Sequence, residues 1–178
     1  MRPNPRWRVS RFAIVLLACW VACVTGAAAE AKRAPADYEK VDTFVNEPLD
    51  LGETKSVAEL RKTGSLIHEQ VVVVNNRHEP TQKDEIRTLL FDGLVIEAYY
   101  PARDNSHGIV TKIVVTKPAW KLRHGLKVGA TETEIEAVLG EPDEHGSGRL
   151  KYCGDMACGT FFLRDGRVIK VVFEGSVD

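Results

Sequence analysis

The chain lacks the residue spacings on which much catalytic chemistry depends. Its five histidines, His68, His78, His107, His124 and His145, never fall at the H-x-x-x-H spacing of a helical metal site. No G-x-S-x-G marks a nucleophile elbow. Charge of one sign is also missing: 24 basic residues face 25 acidic ones. No basic cluster supplies the electrostatic footprint that nucleic acid requires. Cysteine is scarce, at four residues, and aromatics make up 7% of the chain. The sequence therefore assigns no catalytic residue, no cofactor and no metal ligand, and the expectation is a protein that is not an enzyme. The acids Glu132, Glu134 and Glu136 alternate along a helix start, where capping and the helix dipole account for them. Glu141, Asp143, Glu144 and His145 form a small polar cluster after that helix. It reads as a solvated loop, with an acidic contact patch or weak cation site as the sharper alternative.

The long uncharged run lies at the N-terminus. Arg2, Arg6, Arg8 and Arg11 precede it, Phe12 to Val24 is apolar, and Ala27-Ala28-Ala29 supplies small residues before Glu30. That is the grammar of a secretory signal, residues 1–29, cleaved before Glu30. Its rival is an uncleaved anchor, because Phe12 to Ala29 is near the lower length limit for spanning a bilayer. Paired arginines of a folded-export signal are absent. Leu16-Leu17-Ala18-Cys19 and Trp20-Val21-Ala22-Cys23 fit a lipid-attachment signal poorly. Removing residues 1–29 takes away four arginines and no acid, leaving 20 basic against 25 acidic side chains. The expected location is periplasmic or secreted, with membrane contact only through the N-terminal segment if it stays uncut.

What the sequence does have is an internal echo. Leu49-Asp50-Leu51-Gly52-Glu53-Thr54 reads against Leu126-Lys127-Val128-Gly129-Ala130-Thr131. Gly108-Ile109-Val110-Thr111-Lys112-Ile113-Val114-Val115 reads against Gly166-Arg167-Val168-Ile169-Lys170-Val171-Val172-Phe173. The blocks keep their order, the mark of a repeated unit. Residues 30–45 read as a linker or loosely docked arm, with Tyr38, Val41 and Phe44 as anchors. Residues 46–118 form a first α+β repeat with an extra strand, and residues 119–178 a second, the two making one compact domain.

In the second repeat, Thr131-Glu132-Thr133-Glu134 is a capping box. Ile135, Val138 and Leu139 follow at helical spacing, and Gly140 and Pro142 stop the helix. Strands are expected at Leu150–Cys153, Thr160–Arg164 and Arg167–Glu174, with Ile169, Val171 and Phe173 on the core face. In the first repeat, Ser56-Val57-Ala58-Glu59 opens a short helix ending near Gly64. Strands are expected at Ile86–Phe91, Leu94–Tyr100 and Ile109–Thr116. Val71-Val72-Val73-Val74 predicts the added strand, well buried.

Cys153 and Cys158 remain beyond the signal, around Gly154-Asp155-Met156-Ala157. An exported chain with two cysteines most simply joins them, and a short turn can set them opposite each other. Tyr99 and Tyr100 are consecutive on a strand and so point to opposite faces, as do Phe161 and Phe162. One of each pair must leave the core. Either the outward rings line a binding surface, or the arm or the valine strand covers them. Trp120 reads as an apolar plug between the halves, or as an anchor for a partner. With Tyr152, these residues are the partner-binding candidates.

The stretch from Gly125 to Asp143, with Gly129-Ala130-Thr131, Ile135, Val138, Leu139-Gly140-Glu141-Pro142, resembles a G-x-T-x-x-x-V-x-x-x-L-G-x-P signature. Small exported bacterial domains carry it: the SmpA/OmlA-type outer-membrane lipoproteins and the β-lactamase inhibitor protein group. The resemblance covers about residues 125–175 and implies a helical element packed on an antiparallel sheet, in tandem copies in the inhibitor. It implies a protein-binding module more than an enzyme. The fold expected is therefore α+β: tandem α-β-β-β repeats, an antiparallel sheet with short helices packed on one face. The function expected is non-enzymatic binding of another envelope or secreted protein through the sheet face, as a scaffold or as the inhibitor or immunity protein of a hydrolase. The alternative is an envelope enzyme or small-ligand binder using a cleft between the repeats.

Overall fold

The computed structural model describes residues 37–52, 54–104 and 106–175, which belong to one unit, Arg33–Asp178. Residues 1–29, expected to be a targeting segment, and the start of the arm lie outside the described residues. Helices α1 (Tyr38–Asn46) and α2 (Val57–Arg61) come first. Strands β1 (Leu66–Asn75), β2 (Lys83–Phe91), β3 (Leu94–Tyr100) and β4 (Ile109–Val115) follow. Helix α3 (Glu132–Leu139) then precedes β5 (Glu144–Gly146), β6 (Arg149–Cys153), β7 (Ala157–Arg164) and β8 (Arg167–Gly175). All eight strands join in one sheet of order β1-β2-β3-β4-β8-β7-β6-β5, and every pairing is antiparallel. Each half is thus a capped helix followed by a four-strand meander, and the meanders meet at β4 and β8. The class is a mixed α+β fold dominated by the sheet.

Strand alternation explains where the core sits. Phe91, Leu94, Val115, Val171, Phe161 and Leu150 stand opposite one another across six strands. All are buried in one apolar cluster. The helices cover that face. Phe44 of α1 lies parallel to Phe161 with ring centroids 6.0 Å apart and edge-on to Phe173 at 5.5 Å. Ile135 and Leu139 of α3 and Leu60 of α2 join the same cluster. The helix starts obey the local signals. Thr131 Oγ1 accepts from the Glu134 N–H at 3.2 Å, and Glu134 answers by accepting from the Thr131 N–H at 2.7 Å. Ser56 and Glu59 form the same reciprocal box. Gly140 ends α3 at φ 81°, a backbone region where a side chain would be strained.

The structure departs from the sequence reading in several places. The arm is not loose, since α1 buries Val41, Phe44 and Val45. Tyr38 alone of the expected anchors stays outside, 58% exposed. Close docking of α1 needs Gly154, where a Cβ would fall 2.8 Å from the Asp42 Cα. Helix α2 stops at Arg61, short of Gly64. The second half has a matching outermost strand, β5, that the sequence did not reveal. The valine strand is also not buried. β1 is an edge, and Val71, Val72 and Val73 are 43%, 44% and 59% exposed. Five-residue α2 is too short to roof it. An ion network fills the space instead: Glu69 meets Arg87 at 2.6 Å and Arg61 at 2.7 Å.

In β8, Ile169 was expected inside and is 41% exposed, while Val168 is 1% exposed. The β7–β8 register explains it. Phe162 opposes Lys170 but Leu163 opposes Val168, so Ile169 is an extra residue that flips the faces beyond it.

The expected pairing of Cys153 with Cys158 is present. The two residues oppose each other on β6 and β7, and their sulfurs are bonded.

The burial pattern gives an ordered stability series. Phe161→Ala should cost about 3–5 kcal/mol. Ile169→Ala should stay within about 1 kcal/mol, as exposed substitutions do. Urea denaturation of the two variants checks this, and a reversed order would overturn the face assignment.

Candidate functional site

The outward face of the sheet is the candidate site. The register lays out its rows. His68, Leu90, Val95, Val114, Val172, Thr160 and Lys151 oppose one another from β1 to β6. Four of these are apolar and contiguous: Leu90, Val95, Val114 and Val172. No helix among the described residues covers them, because α1, α2 and α3 all pack on the other face. The next row is polar: Thr88, Glu97, Lys112 and Glu174. Lys112 Nζ sits 2.7 Å from Glu174 Oε1, and Thr111 donates to Glu97 Oε1 at 3.0 Å. Beyond it Val72, Ile86, Tyr99 and Ile109 form a second apolar row. Leu90, Val72 and Ile109 are exposed and Val95, Val114 and Val172 half-buried, so two apolar bands flank a line of charge on this face.

Tyr99 anchors a half-open cavity of about 430 Å³ in this face, walled by Val74, Ile86, Tyr99, Pro101, Ile109 and Thr111. Its polar corner is Asp84, 1% exposed. The Tyr99 phenol donates to Asp84 Oδ2 at 2.6 Å. The Ala102 N–H and the Asn76 amide donate to Oδ1 at 2.9 and 3.1 Å. Asn76 also turns the β1–β2 loop, accepting from the N–H groups of His78 and Glu79. The Tyr99 hydrogen bond, helped by the other two donors, holds the Asp84 carboxyl below its ordinary pKa despite burial. The same bond pushes the Tyr99 phenol up. Asp84 and Asn76 escaped the sequence reading. Asp84 lies in Lys83-Asp84-Glu85, which looks like loop. Only the return of residue 102 against β2 shows it to be a buried acceptor.

The sequence candidates separate cleanly. Tyr99 and Phe162 face outward, whereas Tyr100, Tyr152 and Phe161 are buried core. They cannot meet a partner, because strand alternation points them beneath the helices. The Tyr100 hydroxyl donates to the Lys55 carbonyl at 2.8 Å and that of Tyr152 to the Gly140 carbonyl at 3.0 Å. Tyr99 and Phe162 do not form one aromatic patch. They lie toward opposite ends of their strands, with the valine row between, and Lys170 Nζ caps the Phe162 ring at 4.1 Å from its centroid. Trp120 is a plug of the first half rather than a wedge between halves. It packs edge-on against Phe91 and over Gly64, where a Cβ would lie 2.7 Å from the indole. Its N–H is already spent on the Asp92 carbonyl at 2.8 Å.

Other polar groups form local pairs. Of the polar cluster expected after α3, Glu144 pairs with Lys151 at 2.6 Å and Asp143 accepts from the Cys153 N–H at 2.7 Å. His145 turns instead to α3, with Nε2 2.7 Å from Glu132 Oε1. Glu136, one turn along the helix, brings a third potential ligand atom within 4.8 Å of both. The His145–Glu132 contact ties the loop after α3 back to the start of that helix. A cleft of about 330 Å³ lies where β4 meets β8, on the α1 side, among Val45, Glu47, Lys55, Val110 and Phe173.

The Asp84 geometry has a pH consequence. A carboxylate with a folded pKa below its unfolded value, near 4, stabilises the fold above that value, and the stabilisation is lost as pH falls through the folded pKa. Asp84→Asn should therefore be less stable than the parent at neutral pH. The gap should shrink below about pH 4, read by urea denaturation from neutral to strongly acidic buffers. A gap that stays constant into strong acid would overturn the assignment of Asp84 as a charged acceptor.

Compared with known proteins, this chain matches no family model, no curated protein and no solved structure.

Proposed function

We propose that this chain is an exported, non-enzymatic protein-binding module that receives its partner on the open face of the sheet. The observation that carries this reading is the uncovered band Leu90–Val95–Val114–Val172. A chain that only needed to fold would gain by placing polar side chains there. The charged row beside the band supplies register and selectivity, since misplaced like charges are costly. Tyr99 and its cavity offer a seat for one apolar partner side chain. The resemblance of residues 125–143 to exported binding domains supports the same class, as does the duplicated sequence pattern. The partner is another envelope or secreted protein, which makes this chain either a scaffold or the inhibitor or immunity protein of a hydrolase.

The test is affinity for a partner captured from envelope extract, with thermal melting as the control. Val114→Lys and Val172→Lys should each weaken binding at least about 30-fold, which is about 2 kcal/mol. Melting should change little, since both side chains lie on the outward face. Unchanged affinity with an unchanged melt would remove the sheet face as the site. Export makes a separate prediction. Protein recovered from the native host should begin near Glu30, and recovery of only the uncut chain, in membranes, would favour an anchor.

A further inference from the structure

The two edges of the sheet are finished differently. β5 is three residues long, and its Glu144 is paired with Lys151. Short, charged edges resist the addition of another strand. β1 is ten residues long and pairs only with β2 among the described residues. From Gln70 to Val74 it carries no charge, no proline and no bulge. Its valines are exposed on both faces, because alternation puts Val72 outward and Val71 and Val73 on the helix side, beyond the reach of α2. The outer backbone groups of such a strand are a ready template for a further strand.

We propose that β1 is an interface between two copies of this chain, joined antiparallel across a two-fold axis at Val72 so that the two sheets become one. The register follows from the residues. A two-fold axis perpendicular to the sheet must pass opposite a residue, because only then do facing side chains share a face. The irregularity between Leu66 and His68 limits the straight ladder to residues 68–75, whose centre falls at Val71 or Val72. An axis at Val71 sets Val73 against Glu69, an apolar side chain against a carboxylate. An axis at Val72 sets Val72 against itself, Val71 against Val73, Gln70 against Val74 and Glu69 against Asn75. No like charges meet, and Glu69 keeps its internal partners Arg87 and Arg61. The union would also extend the outward row Val72–Ile86–Tyr99–Ile109 across the axis, which would place the two outward faces side by side.

Sedimentation and cross-linking test this on protein recovered from cells expressing the full chain. The parent should sediment as a dimer at tens of micromolar, and Val72→Lys as a monomer with an unchanged melt. Facing residues of an antiparallel pair lie about 4.5–5.5 Å apart, within the Cα separation that a disulfide spans. Val72→Cys should therefore oxidise to a covalent dimer absent from the parent, whereas Ile109→Cys, equally exposed on the same face, should not. A parent that stays monomeric at millimolar concentration would overturn the proposal. So would a dimer that survives Val72→Lys, or equal cross-linking at both positions. Were Val72→Lys to fail to fold, the cysteine pair decides alone, since Cys is close to Val in size.

Discussion

The pairing of β4 with β8 holds the molecule together. It is short: Lys112 with Glu174, Ile113 with Phe173, Val114 with Val172 and Val115 with Val171. Hydrogen bonds across four residue pairs contribute only about 0.5–1.5 kcal/mol each, net of water. The seam is held as much by what lies beneath it. Ile113, Val115, Val171 and Phe173 point into one apolar cluster with Phe44 of α1 and Phe161 of β7. Because α1 precedes both meanders in the chain but packs on β6 and β7, it ties the start of the fold to its end. The outward band exists for the same reason. Without the seam, Val95–Val114 and Val172 would belong to two smaller sheets, and no continuous apolar row would form.

The parts legible in sequence were those set by near neighbours. Thr131 with Glu134 and Ser56 with Glu59 are contacts three residues apart, so both capping boxes could be read directly. The Asp92-Gly93 and Asp165-Gly166 turns are likewise local, with Gly93 and Gly166 at φ 81° and 72°. Cys153 facing Cys158 follows from a hairpin closed over a few residues. What escaped was set by distant partners. Ile169 moved outside because it is the extra residue of a bulge in β8, set by the register with β7, and nothing in the local β8 sequence signals that. Val71–Val74 looked buried because consecutive β-branched residues usually mark a central strand. Burial, however, needs a roof: the outward face that carries Val72 has none among the described residues, and on the other face five-residue α2 does not reach Val71 and Val73.

The candidate site divides along the same line. That one of Tyr99 and Tyr100 must face outward is a statement about a single strand, and it holds. Which ring faces outward, and whether it neighbours Phe162, depends on the order of eight strands, and the order separates them. Asp84 is the clearest case. Its three donors come from Asn76, Tyr99 and Ala102, so its role as a buried acceptor appears only after β1, β2 and β3 have paired. A sequence reading that lists acids by spacing has no access to it.

The unequal treatment of the two faces is itself informative. The inward rows are apolar from Phe91 and Leu89 of β2 through Leu150 of β6, give way to the Arg87 ion network toward β1, and are roofed by three helices with side-chain N-caps. The outward rows alternate apolar, charged and apolar, and no described helix lies over them. A sheet that needed only to be solvated on that side would favour Thr, Lys and Glu throughout, as Thr88, Glu97, Lys112 and Glu174 show it can. Leu90, Val95, Val114 and Val172 interrupt that pattern on four adjacent strands, in register. Register makes them one surface rather than four scattered residues, since each faces the next across a paired strand. Apolar side chains scattered singly over a surface would need no explanation; an aligned row is the feature on which the proposed binding face rests.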